Sequence, residues 1–422
     1  MNNIPSLQNA DLKQKIVLIR VDHNVVKKGI IIDPYRIDAS IGTIKYIIEK
    51  GGKPILMTHI GRPKDKKTGM IKISDDTSVE PIVKYIKDQF GLKFKIAFDN
   101  KPDFSGPNYL SELRNGVYDG IYLPNTRWFP DEESKEETTN GFGKELSGLA
   151  DIFVNDAFGS WQPHASTVQP PKHLPSYAGL LMQKEIENLE RILSPQKPFL
   201  AVVAGSKFDT KIGTLQALLK NADHLIVGGV LYNAYLCAKY DIQIKGVTEA
   251  DIAAAKKFVD FSNQYPGKLI EIPDIVESKS TDSAEQSKTL KIKDLTPGKR
   301  LDYILDADPA SFQTQKVKSV FSEAKTIFVN AVMGLTPHFA EGTIALNKII
   351  AENEKSDKFF GGGDTLQEFK TLLPKLYNKA LDDSSYYFFT GGGTILKALY
   401  EEKVTGLAPI QALIDNHKKF KQ

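Results

Sequence analysis

A single cysteine, Cys237, stands among the 422 residues of this chain. No intramolecular disulfide can form, and a cysteine-based metal site is excluded. Cys237 falls in the helix-like run YNAYLCAKY and reads as a small buried hydrophobe. No apolar run approaches the ~20 residues of a membrane span. The opening MNNIPSLQNADLKQK has no signal-peptide core, so a cytoplasmic address is expected. Neither sign of charge dominates: 55 basic residues face 52 acidic ones, for a net charge of +3. That balance argues against nucleic acid or membrane as the main partner, and any basic site must come from local clustering. Two nucleotide signatures are also missing. There is no G-x-x-x-x-G-K-[ST] loop, and the absence of G-x-G-x-x-G speaks against dinucleotide chemistry. Short-period repeats and low-complexity segments are lacking as well.

What the chain does have is length and alternation. At 422 residues it should form two or three domains, because one core rarely grows beyond roughly 250–300 residues. KIVLIRV reads as a strand and IGTIKYIIEKGG as a helix with a glycine stop. KPILMTHI, EPIVKYIKDQFG and KFKIAF continue the alternation, which persists to DIFVNDAF. It resumes with FLAVVAG, HLIVGG, KLIEIP, TIFVNAVMG, KFFGGGDT and YYFFTGGGT. Strands alternating with helices imply βαβ units and a mainly parallel sheet. Between the halves, a proline-bounded segment carries Met182, Ile186, Leu189 and Leu193 on one helical stripe. It reads as a stiff interdomain connector, with one more crossover helix as the plainer alternative. The polar stretch ESKSTDSAEQSKTLKIKDLTPGKR reads as a hairpin or surface excursion. The tail LAPIQALIDNHKKFKQ carries enough apolar residues to dock somewhere.

The strand ends differ between the halves. In the first they run IRVDHN, MTHIGRPK, YLPNTRW and FVNDAFG; in the second VVAGSK, IVGGV, FFGGGDT and FFTGGGT. Ligands of open parallel sheets sit beyond the carboxyl ends of the strands. The first set places Arg20, Asp22, Asn24, Arg36, His59, Arg62, Arg127, Asn155 and Asp156 at or just past strand ends. Arginine's planar fork pairs with carboxylate or phosphate through two hydrogen bonds, so a small molecule carrying both groups is the expected ligand. A lone arginine is usually a surface ion pair; three or more at equivalent strand ends point to a site. His59 lacks a partner at metal-ligand spacing, and a hydrogen-bond donor to the same anion is the preferred role. In the second half, glycines followed by a helix start let backbone N–H groups approach phosphate. Asp364, after the glycines, suits Mg²⁺ carried by phosphates, and equally suits a helix N-cap. Lys207 and Lys211 share a face if SKFDTK is helical, and would then neutralise polyphosphate.

These fragments resemble one family over essentially the whole chain. RVDHNV, YRID, THIGRPK, NTRWFPDEE, VNDAFG followed by HAST, GSKFDTKI, NAVMG, GGGDT and TGGGT match phosphoglycerate kinase in order and spacing. The resemblance implies two Rossmann-like α/β/α domains with mainly parallel sheets, joined by a helix. It places a phosphoglycerate-binding domain at 1–175 plus about 406–422, a connecting helix at 176–193, and a nucleotide-binding domain at 194–405. It implies reversible, Mg²⁺-dependent transfer of a phosphoryl group between ATP and the carboxylate of 3-phosphoglycerate, in line and with domain closure. By motif, Asp22, Asn24, Arg36, His59, Arg62, Arg127 and His164 match the phosphoglycerate side. Gly205, Lys207, Lys211, Asn330, Gly334, Gly361, Gly362, Gly363, Asp364 and Thr365 match the nucleotide side, with Asp364 toward the metal. Arg36 and Lys211 match the side chains that stabilise the transferring phosphoryl. A monomer is expected, since two lobes in one chain already complete the site.

Three departures stand out. The family has an arginine between AFG and HAST, whereas this chain has SWQP, one residue shorter and without a basic group. Loss of a charge-assisted hydrogen bond of about 1.5–3 kcal/mol weakens binding about ten- to a hundredfold. The family's glutamate toward the ribose hydroxyls is replaced by Pro337, and its triple glycine beneath the adenine becomes Gly228, Gly229 and Val230. These departures keep two other readings open: a non-catalytic nucleotide-binding protein of the same fold, and a kinase with another carboxylate acceptor.

Overall fold

The computed structural model describes residues 4–134, 141–205 and 211–420. The chain forms two compact units, Met1–Glu187 with Val404–Gln422, and Asn188–Lys403. In the first, six strands lie in the order Phe94–Ile96, Gly120–Tyr122, Lys53–Met57, Ile16–Val21, Ile152–Asp156 and Ser176–Ala178. Every pairing is parallel. The central strands read as continuous apolar runs because helices cover both faces of such a sheet; Ile16–Val21 is buried at all six positions. Helix Tyr35–Glu49 buries Ile37, Ile44 and Ile47 at spacings of seven and three, one stripe of a 3.6-residue period. Glu80–Phe90 ends at Gly91, whose φ of +71° closes the last turn.

The second unit repeats the plan: Leu269–Ile270, His224–Gly228, Phe199–Ala204, Thr326–Asn330, Asp357–Gly361 and Tyr386–Phe389, again all parallel. The polar stretch near 280 is part of a hairpin: Asp274–Ser278 pairs antiparallel with Lys288–Lys291, and on its other edge with Tyr303–Ala307.

The expected connecting helix begins later than the sequence suggests. Residues 176–178 are the sixth strand of the first sheet, with Asn155 opposite Ala178, and the helix runs Leu180–Leu193. The helical stripe itself starts only at Met182, and the residues before it are free to pair with the sheet edge. Met182, Ile186 and Leu189 are buried as the stripe predicts, but the last buried position is Ile192 rather than Leu193. The compact units divide within this helix, after Glu187, rather than at its ends. The C-terminal helix Ala408–Phe420 belongs to the first unit. Its Asn416 accepts from Ser176 N at 2.9 Å and donates to Leu174 O at 2.8 Å.

Candidate active site

In the first unit the register aligns the carboxyl ends of three strands: Arg20 lies opposite Met57 on one side and Asn155 on the other. The chain order of neighbours reverses at Ile16–Val21, so a crevice opens beyond that strand. It holds a cavity of about 310 Å³ lined by Asn24, His59, Arg62, Arg127 and His164 together with Gly159–Gln162. Five of the seven residues expected on this side therefore share one cavity. Asp22 and Arg36 are outside its lining and pair with each other, Nη1 to Oδ2 at 3.2 Å.

The loop that carries His59 and Arg62 is pinned from two sides. Asn24 Oδ1 accepts from Gly61 N at 2.8 Å. Asn125, not singled out from the sequence, accepts from Ile60 N and donates to Ile60 O, each at 2.9 Å. Arg127 donates to Gly61 O and lies 2.9 Å, Nε to Oε1, from Glu133. That same carboxylate oxygen is 4.0 Å from His164 Nε2.

Arg20 is not a ligand. It is wholly buried, and donates from Nε to Ser166 Oγ at 2.8 Å and from Nη1 to Val21 O at 2.6 Å. Its Nη2 lies 3.0 Å from His59 Nδ1. Arginine cannot accept, so His59 Nδ1 must, and the ring proton sits on Nε2. Burial, reinforced by Arg20 and then Arg127, holds His59 well below the usual histidine range. His59 is thus a neutral donor in the cavity. His164 is also lowered, first by burial.

Asn155 and Asp156 likewise serve the fold. Asn155 Oδ1 accepts from Ala157 N at 3.1 Å. Asp156 Oδ1 accepts from Met182 N at 3.0 Å in the first turn of the connecting helix, and burial pushes its carboxyl up to about 6.

In the second unit a cavity of about 230 Å³ lies beyond the strands ending at Ala204, Gly228 and Asn330. Val230, Ile275, Ile304, Leu305, Val332 and Leu335 make it an apolar slot, with Gly205 and Gly334 also on its wall. It suits a flat heterocycle. Val230, a replacement for glycine, forms part of the wall. Asp306 caps the far helix, accepting from Gly342 N at 3.0 Å, and burial pushes its carboxyl up to about 7. A Cβ at position 334 would stand 2.4 Å from the Asp306 carboxylate, so only glycine fits.

Beside the slot, Lys211 donates from Nζ to Ala204 O at 2.6 Å and to Asn330 Oδ1 at 3.2 Å. Burial lowers its ammonium pKa, against the opposing pull of Asp364. Asn330 donates in turn to Gly361 O at 2.5 Å. Gly362 has φ +118°, and a Cβ there would stand 2.6 Å from Asn330 Nδ2. The chain then enters helix Gly363–Leu372, with Asp364 exposed in its first turn and Thr365 buried. Lys211, Asn330, Gly361–Gly363 and Asp364 thus gather at three adjacent strand ends, where helix N–H groups meet a cation. Lys207 lies outside the described residues. Lys211 precedes helix Ile212–Asn221 as its N-cap residue. The second triple glycine packs against the first: a Cβ at Gly392 would stand 2.5 Å from the Gly362 backbone.

No group of three metal-ligating side chains occurs among the described residues. The donor set fits a divalent ion brought by phosphate oxygens and held by one carboxylate, Asp364.

A family profile, Phosphoglycerate kinase, matches residues 7–402. The phosphoglycerate kinase of Dictyoglomus turgidum is 33% identical over 414 residues, covering 97% of this chain and 98% of the relative. That of Wolbachia pipientis is 33% identical over 427 residues, covering 98% and 100%. Among solved structures, phosphoglycerate kinase from Coxiella burnetii superposes with a TM-score of 0.75 at 29% identity, covering 98% of this chain and 99% of that one. The Pyrococcus horikoshii structure, at 22% identity and a TM-score of 0.79, shows the shared fold.

Proposed function

The chain belongs to the phosphoglycerate kinase family, and on that premise we propose how its residues divide the work of reversible phosphoryl transfer between ATP and 3-phosphoglycerate. The observation that carries the reading is Lys211, held by Ala204 O and Asn330 beside the glycine turn and Asp364. A half-buried ammonium next to unpaired helix N–H groups is a cradle for terminal phosphates. The apolar slot takes the base.

In the first unit, Arg62, Arg127, Asn24 and the His59 Nε2–H face one cavity, and its donors match the two anionic groups of 3-phosphoglycerate. His164 and the Asp22–Arg36 pair complete this side. The acceptor is a carboxylate, already ionised near neutrality, so no general base is required. That agrees with a neutral His59 that donates and does not abstract. A carboxylate oxygen forms a bond to the terminal phosphorus while the bond to the bridging oxygen breaks, and ADP leaves with that electron pair. The transition state is loose and spreads charge over the equatorial oxygens, so positioning and positive charge do most of the work. Arg36 and Lys211 are the groups proposed to stabilise it. Mg²⁺, held by Asp364, would supply further neutralisation of the phosphate oxygens.

We also propose a cytoplasmic monomer. Among the described residues no helix is long and apolar enough to cross a membrane. The test of function is a coupled assay with Mg²⁺, ATP and 3-phosphoglycerate. Binding of ADP without turnover would instead support a non-catalytic protein of this fold. Turnover with a different carboxylate alone would support a changed acceptor. Light scattering tests the oligomeric state.

A further inference from the structure

A nucleotide with its base in the slot and its phosphates at the glycine turn must span its ribose between them. The base end is fixed at Leu335, which lines the slot and donates its N–H to Leu305 O at 2.9 Å. The phosphate end is Asp364, in the first turn of helix Gly363–Leu372. Thr336, the residue after Leu335, donates from Oγ1 to Glu368 Oε1 at 2.9 Å. Glu368 follows Asp364 by four residues on the same helix, so both lie on one face, about 6 Å apart along the axis. Its second oxygen has no hydrogen-bond partner among the described residues, and the residue is half-buried.

Position 337, where the family motif has a glutamate, is an exposed proline without a side-chain acceptor. The carboxylate on the wall of the slot, Asp306, already accepts from Gly342 N at 3.0 Å and Ala307 N at 2.9 Å, one bond to each oxygen. Glu368 brings a carboxylate to the neighbouring position from a different element, with one oxygen steadied by Thr336 and the other open. We propose that Glu368 is the ribose-hydroxyl acceptor of this chain, in place of the carboxylate missing at 337. The inference rests on the nucleotide reading of this unit, and it makes the site selective for ribonucleotides over sugars without the vicinal hydroxyls.

Calorimetric titration of the full chain with ADP and with 2′,3′-dideoxy-ADP tests it. The unmodified protein should favour ADP about ten- to a hundredfold, the range for a hydrogen bond to a charged group. Glu368→Ala should bring that ratio to near one while leaving the dideoxy affinity in place, and adding Pro337→Glu should restore the preference. Thr336→Val, which cuts the tie but leaves the carboxylate, should keep it. An unmodified protein indifferent to the hydroxyls, or a Glu368→Ala variant that still discriminates, overturns the proposal while leaving the nucleotide site standing. So does equal weakening of both ligands in Glu368→Ala and Thr336→Val, the signature of a purely structural tie. Failure to bind ADP at all overturns the nucleotide reading and this inference together.

Discussion

Arg20→Met is expected to destabilise the first unit by about 3–5 kcal/mol, the cost of breaking a buried ion pair by removing one partner. Arg20 and Glu132 are both fully buried and lie 3.9 Å apart. Methionine fills much of the arginine stem's volume, so the cavity cost is the smaller part. The larger part is the Glu132 carboxylate left, among the described residues, with the hydrogen bonds of Ser166 alone, whose N–H and Oγ–H donate to it at 2.9 and 2.6 Å. Domains are stable by about 5–15 kcal/mol in total, so the loss is easily read. The chain's two tryptophans, Trp128 and Trp161, both lie in the first unit. Their fluorescence during urea unfolding therefore reports that unit alone. A stranded charge has a distinctive signature: Arg20→Met combined with Glu132→Gln should be more stable than Arg20→Met by at least about 1 kcal/mol. If the double variant is instead as unstable as the two single losses added together, the buried-charge argument is refuted.

Lys211→Ala should lower turnover by about 10²–10³-fold, as for removal of one preorganised charge-stabilising donor, with a much smaller change in ADP affinity by calorimetry. Equal losses in both would make Lys211 a binding residue only. Gln162→Arg, which returns a cation to the cavity wall between Gly159 and His164, should lower the KM for 3-phosphoglycerate about tenfold; an unchanged KM would show that the missing arginine matters little here. His23 is buried between Tyr122 and Ser40, at 2.9 and 2.8 Å, with its pKa brought down to about 3 by burial and then by Arg20. The unfolded chain takes up this proton near pH 6.5 and the folded one does not. The stability it contributes is therefore full above about 6.5 and lost on acidification toward 3, at up to about 1.4 kcal/mol per pH unit. His23→Gln should make the acid limb of the tryptophan-monitored urea midpoint shallower by about one proton; an unchanged slope would contradict the assignment.

The elements themselves were legible because their signals are local. Ile16–Val21 and Phe199–Ala204 are apolar runs of strand length, and Glu80–Phe90 carries both its stripe and its glycine stop. The boundary at 176–180 was not legible, because pairing of Ser176–Ala178 with Phe153–Asn155 depends on a strand far away in sequence. The site was legible as a set of residue types at strand ends. The roles within that set were not. Arg20 and Arg62 look alike in sequence, yet one is fully buried under His59 and the other exposed on the cavity wall.

Sequence alone determined the alternation of strands and helices, the contrast between charged and glycine-rich strand ends, and the family. Those follow from periodicity, turn chemistry and the order of short motifs, all of which a linear chain displays. Only tertiary structure decided which nitrogen of His59 holds the proton, that Asp156 caps a helix and that Glu368 stands beside Thr336. Each depends on distances between groups separated by tens of residues, 39 for Arg20 and His59 and 32 for Thr336 and Glu368. Hydrogen bonds form only within about 3 Å, and which groups come that close is set by how the elements pack.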